Sequence, residues 1–204
     1  MITVFDNAQR AHDPRFFLPS GAQQPCPEKP AQVDAPLGAV QAMGGPVGQA
    51  PDAGLALILA VHPSRCVTFL QTIHTRWLRI PGASAEVIPT IRPANRTDGY
   101  PLPVVGQAGY HQTDTSCPIW ACTWNAADAS AQTAIHGADL VLGKERAVYA
   151  LARPPGHRAF AEMAEGVPSR QLCDCGAAAD RRGPPCRHVG CRSAPREWHA
   201  RHLS

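Results

Sequence analysis

Between Cys173 and Cys191 the chain reads CDCGAAADRRGPPCRHVGC, so four cysteines and a histidine fall within nineteen residues. Cys173, Cys175, Cys186, His188, Cys191, His199 and His202 together offer enough nitrogen and sulfur donors for a tetrahedral structural zinc. The spacing argues against one. C-x-C and C-x-H-x-x-C are not the paired C-x-x-C knuckles of small zinc modules. The aliphatic residues around them are Val167, Leu172, Val189 and Leu203, which leaves a metal little core to organise. A second candidate is His157, in PPGHR directly after the apolar run AVYALAR. Ligands of open parallel sheets sit beyond the carboxyl ends of the strands, and a histidine there can move protons near neutral pH. A third is Asp114, four residues before Pro118, where a carboxylate can cap a helix.

The elements that must position these residues are sparse. At 204 residues, with 21 prolines and 17 glycines, the chain is one domain rich in loops. ITVFD suits a short buried strand. HDPRFFLPSGAQQPCPEKPAQ is loop, and Ala35–Met43 a short helix before Gly-Gly-Pro. Pro63–Ile80 reads as a helix with Val67, Leu70, Ile73, Trp77 and Leu78 on a core-facing stripe. Residues from Ile80 to Gly109, with five prolines, read as loop. Pro118 to about Gly143 is a second helix, alanine-rich, with Asp128, Ser130, Gln132 and Asp139 on its wetter side. Ala147–Arg153 is a strand of the buried type. Strand, helix and strand in this order predict an α/β protein with a parallel sheet.

Charge and cysteine are unevenly distributed. Residues 1–166 hold 12 Lys+Arg and 13 Asp+Glu, whereas residues 167–204 hold 7 Arg and 3 acidic residues. Such a basic tail attracts nucleic acid only non-specifically. The longest apolar run, LALILAV at Leu55–Val61, is too short to cross a bilayer, and the N-terminus has no apolar signal core. A cytoplasmic protein is expected, with its eight cysteines not forming a disulfide framework.

YALARPPGHRAFAEMAEG resembles the strand-RPPGHHA-x-x-x-M-x-G-G signature of the histone deacetylase superfamily, in particular its bacterial acetylpolyamine amidohydrolase branch. HDPRFFLPSGAQQPCPEKP, LILAVHPSRCVTFL and GYHQTDTSCPIWACTWNAADASA are similar to further segments of that branch, in the right order, from Met1 to about Gly166. The resemblance implies an arginase/deacetylase-like parallel-sheet fold and zinc-dependent hydrolysis of acetylated polyamines or acetyl-lysine. It also offers, as a second alternative, a surviving interaction fragment that forms a homodimer through the N-terminal loops. From run length and charge, no membrane or specific nucleic-acid partner is expected. His157 matches the first histidine of the family's proton-handling pair. Arg158 stands at the second, the general base, and a guanidinium cannot accept a proton from water. Asp114 falls in the segment that borders the family's substrate channel.

The family's metal-binding segment DVDxHHGNGT is absent, as are its later Asp and Tyr. The genetic code restores part of it. Read one base later, codons compatible with Gln171 to Ala177 spell Asn-Ser-Ala-Ile-Ala-Ala. Gly190 to Ser204 spell Asp-Val-Asp-Leu-His-His-Gly-Asn-Gly-Thr-Gln-Asp-Ile-Phe, with all fourteen straddling codons compatible. The sequence therefore divides into a deacetylase-like part at 1–166, incomplete as a fold, and an irregular Arg/Cys-rich tail at 167–204 translated out of frame. The zinc implied by the family has no ligands in this chain, and no activity is expected. The alternative is a small structural-zinc or nucleic-acid-binding module in the tail.

Overall fold

The computed structural model describes residues 1–154 and 160–164. Five strands and five α-helices are found among them. The strands are β1 (Ile2–Val4), β2 (Phe16–Phe17), β3 (Gln24–Pro25), β4 (Val47–Gly48) and β5 (Val148–Ala150). The helices are α1 (Asp34–Ala42), α2 (Ala56–Val61), α3 (Ser64–Trp77), α4 (Val104–His111) and α5 (Thr123–Leu142). The expected parallel sheet is present: β1 lies in the middle, parallel to β4 on one side and β5 on the other. Thr3 pairs with Val47 and with Tyr149. β2 and β3 form a separate antiparallel pair within the proline-rich loop. β5 has a strand partner on one side only among the described residues.

The core forms where α3 crosses α5. Cys66, Val67, Phe69, Leu70, Ile73 and Trp77 are buried on α3. All of these but Cys66 pack with Ile58, Val87, Ala108, Ile119 and the α5 residues Ala127, Ala131 and Ile135 in one cluster. Small residues let α5 lie close to the sheet. A Cβ added at Gly137 would meet the Ala150 Cβ at 3.0 Å, tighter than ordinary packing.

Several sequence expectations are corrected. Leu78 follows the last turn of α3 and is exposed rather than part of its stripe. Helix α5 begins at Thr123, not Pro118, because Ile119 instead bridges to Val87 with reciprocal backbone bonds of 2.9 and 3.2 Å. Ser130 and Gln132 are buried, not wet. Gln132 accepts from Ala53 N at 3.0 Å and donates to Gly54 O at 3.2 Å, so the helix is covered there by the 52–54 turn. Residues 104–111 form α4 rather than loop. Pro103 sits at the N-cap, just outside the helix, where proline's missing N–H costs nothing. No helix among the described residues is long and apolar enough to cross a membrane.

Candidate functional site

The carboxyl ends of β1 and β5 meet a group of buried polar residues. The 3-10 turn Asn7–Ala11 leaves β1 under an Asp6 cap and ends at His12. Gln9, fully buried, donates to Thr133 Oγ1 on α5 at 3.0 Å. Its Oε1 accepts from the Arg153 backbone N–H, and its carbonyl accepts from Arg153 Nη1 at 2.9 Å. One glutamine thus links the start of the sheet, the long helix and the residue opening the RPPGH motif. Arg153 is 3% exposed, with Nε and Nη2 unpartnered. His12 is also fully buried. Desolvation first, and the Arg153 charge second, push its pKa down to about 3, so it is a neutral imidazole.

Across the stretch 155–159 the chain returns as residues 160–164, and its backbone is held at several points. His62 Nδ1 donates to Ala161 O at 2.9 Å, and His111 Nδ1 donates to Glu162 O at 2.7 Å. Because a carbonyl can only accept, both rings carry the proton on Nδ1. His111 Nε2 then accepts from the Tyr100 hydroxyl at 3.0 Å, and its ring stacks on Phe69 at 4.2 Å. Burial, the largest influence, pushes the His111 pKa down to about 4. Ala164 N donates to His111 O at 2.8 Å, and Thr113 N donates to Ala164 O at 3.0 Å.

Asp114 lies on this 111–117 loop. Its Oδ1 accepts from Ser116 N at 2.8 Å, closing a tight turn. It therefore does not cap a helix at Pro118, since none starts there. His157, Arg158 and the cysteine-histidine cluster from Cys173 onward lie outside the described residues.

The chemistry available among the described residues is limited. No group of three His, Cys, Asp or Glu there is placed to hold a metal. The zinc that the family resemblance implies therefore finds no fitting donor set in this part of the chain. Cys26 and Cys66 are pushed up to about 11 and 12, chiefly by desolvation, and Cys117 is raised by the same cause. These three are thiols, not thiolate nucleophiles, at neutral pH. An open cleft lined by Asp6, Asp52, Asn125, Asp128 and Gln132 lies beside α5. Its carboxylates already accept from Ala8 N, Gln49, Gly54 N and Gln132.

Sequence reasoning missed His12, His62, His111 and Glu162 as positioning groups. The available signal was that all four fall inside the family-like segments: His12 opens HDPRFF, His62 lies in LILAVHPSRC, His111 in GYHQTD and Glu162 in the segment after RPPGH.

Comparison with known proteins places this arrangement. A family model described as the histone deacetylase domain matches residues 26–167. The acetylpolyamine amidohydrolase of Burkholderia pseudomallei is 38% identical over 169 residues, which is 81% of this chain and 48% of that protein. Acetylpolyamine amidohydrolase 2 of Pseudomonas aeruginosa is 37% identical over 168 residues, again 81% and 48%. The crystal structure of the Burkholderia pseudomallei acetylpolyamine aminohydrolase superposes with a TM-score of 0.78 at 36% identity, covering 89% of this chain and 52% of that one. The chain spans about half the length of the curated relatives it matches.

Proposed function

Because the chain belongs to the histone deacetylase family and has its arginase/deacetylase fold, we propose that it is the first half of a hydrolase of N-acetyl amides. Its ancestral substrates would be acetylated polyamines or acetyl-lysine. In this reading the frame departs between about Ala164 and Pro168, and the chain as written does not hydrolyse. The carrying observation is that the family match stops at residue 167. The tail beyond it regains the family's segments only when read one base later. The zinc of the family would polarise an acetyl carbonyl and activate water, but the chain lacks the Asp-x-His pair that would hold it.

The roles follow from the motif and its surroundings. His157 is the one recognisable catalytic position. Arg158 occupies the place of the base and cannot take up a proton at neutral pH. Asp114 is assigned to the substrate side, supported by the bridge between its loop and the segment after the motif at Gln112 and Ala164. A cytoplasmic location and a homodimer through the N-terminal loops complete the proposal.

The test is hydrolysis of acetylputrescine and of an acetyl-lysine peptide, with and without added zinc. The expected rate is the buffer rate, and Arg158→His alone recovers nothing because the metal ligands are still missing. Zinc-dependent turnover by the chain would overturn the reading. Stoichiometric zinc, lost when Cys173 and Cys175 become serine, would favour a metal module in the tail.

A further inference from the structure

Residues 160–164 lie against three separate parts of the fold and are fastened to each. Glu162 Oε1 pairs with Arg65 on α3, and its Oε2 accepts from the Tyr110 hydroxyl on α4 at 3.2 Å and from Arg96 Nη2 at 3.4 Å. Arg96 opens the 3-10 turn Arg96–Asp98, donates to the Tyr110 carbonyl and lies 3.7 Å over the Tyr110 ring. The remaining ion pairs among the described residues, Arg10–Asp34 and Lys29–Asp13, are single contacts between partly exposed side chains, of a kind that contributes little. Glu162 instead shares one carboxylate between two guanidiniums and a hydroxyl, and charge-assisted bonds are the stronger ones.

Beneath these residues lies a pair of buried imidazoles. His62 and His111 are each 1% exposed, and their Nδ1 protons go to the carbonyls of Ala161 and Glu162. At the far end Ala164 N donates to the His111 carbonyl, and Ala164 O accepts from Thr113 N. Apolar packing adds little. Phe160 is exposed, and none of residues 160–164 belongs to either hydrophobic cluster. A segment held by polar bonds with few apolar contacts opens at a lower free energy than the core. We propose that residues 160–164 form a strap over His62 and His111 that opens as a unit, separately from the core, with the ion pairs of Glu162 as its fastening. Closed, the strap supplies both rings with an acceptor and keeps water from them. Open, it gives both imidazoles to solvent while α3 and α5 stay packed.

The test is amide hydrogen exchange of the full chain, followed residue by residue by NMR. The Ala164 and Thr113 amides report the strap, and those of Leu70 and Ile73 in α3 report the core. Glu162→Gln removes the charge and keeps the size. It should speed exchange at Ala164 and Thr113 by at least about tenfold, the loss expected for charge-assisted bonds, and leave Leu70 and Ile73 unchanged. Salt gives a second reading on the unaltered chain. The Arg65 side chain is 48% exposed and so open to screening. Between ~0.05 M and ~0.5 M sodium chloride, exchange at Ala164 should rise by at least about threefold in the parent and stay level in Glu162→Gln. Three outcomes would overturn the proposal: equal strap exchange in parent and variant, a parallel rise at strap and core, or a salt response that is missing from the parent or persists in the variant.

Discussion

His12 Nδ1 lies 2.9 Å from Thr123 Oγ1, tying the turn after β1 to the first residue of α5, while its Nε2 is buried without a hydrogen-bond partner. A second proton on this ring would stand unpaired beside the Arg153 guanidinium. The arrangement thus admits only neutral imidazole, and folding and protonation oppose one another.

Acid should destabilise the fold earlier than carboxylate titration alone predicts. His12 and His111 titrate at about 3 and 4 in the folded chain, against 6.5 when free. A depressed histidine makes the unfolded chain the better proton acceptor. Stability is then full above about pH 6.5 and declines as pH falls towards 4, by about 1.4 kcal/mol per pH unit for each histidine. Denaturant unfolding at pH 7, 6 and 5 measures the slope. A flat response across that window would contradict the buried, neutral assignment.

Gly109→Ala should be strongly destabilising, although alanine is the better helix former. A Cβ at position 109 would sit 1.8 Å from the Ile91 carbonyl oxygen, so α4 and the 91–92 strand of loop must separate. The expected loss is about 2 kcal/mol or more, against a propensity gain of about 1 kcal/mol. Gly38→Ala in α1 meets nothing within 4 Å and should be neutral to stabilising. Thermal melting of the two variants side by side decides the matter.

Gln9→Leu should uncouple the sheet from the motif. The Arg153 N–H loses its acceptor in a buried setting, which costs about 1–3 kcal/mol for an orphaned group. Denaturant midpoints would register the loss, and amide exchange at Arg153 should accelerate more than exchange at Val148–Ala150. Uniform acceleration would point to general loosening instead.

The nucleotide sequence should carry the shifted frame onward past Ser204. Across the codons of Gly190 to Ala200 that frame should encode Asp-Val-Asp-Leu-His-His-Gly-Asn-Gly-Thr, then further on a second metal-binding Asp and an oxyanion Tyr. The tandem histidines need codons ending in A at Ala194 and Pro195. Any other base there refutes the frame account and returns the cysteine cluster to consideration as a zinc site.

The sequence by itself determined the elements whose signal is local. Apolar runs placed β1 and β5, helical spacing placed α3, and the order of motifs identified the family. The proposed frame change in the tail rests on the sequence alone, since codon compatibility is a property of the genetic code and not of packing. Tertiary structure decided what depends on distant partners. Ser130 and Gln132 look solvent-facing by type, yet the 52–54 turn covers α5 at Gln132. α4 was hidden because the proline count of its surroundings outweighed its own eight residues. The contacts that hold the residues flanking the RPPGH motif were illegible because their partners are distant in sequence. Gln9 reaches Thr133 across 124 positions and His62 reaches Ala161 across 99. No local propensity encodes such pairings, because buried donors and acceptors choose partners only after the chain has brought them together.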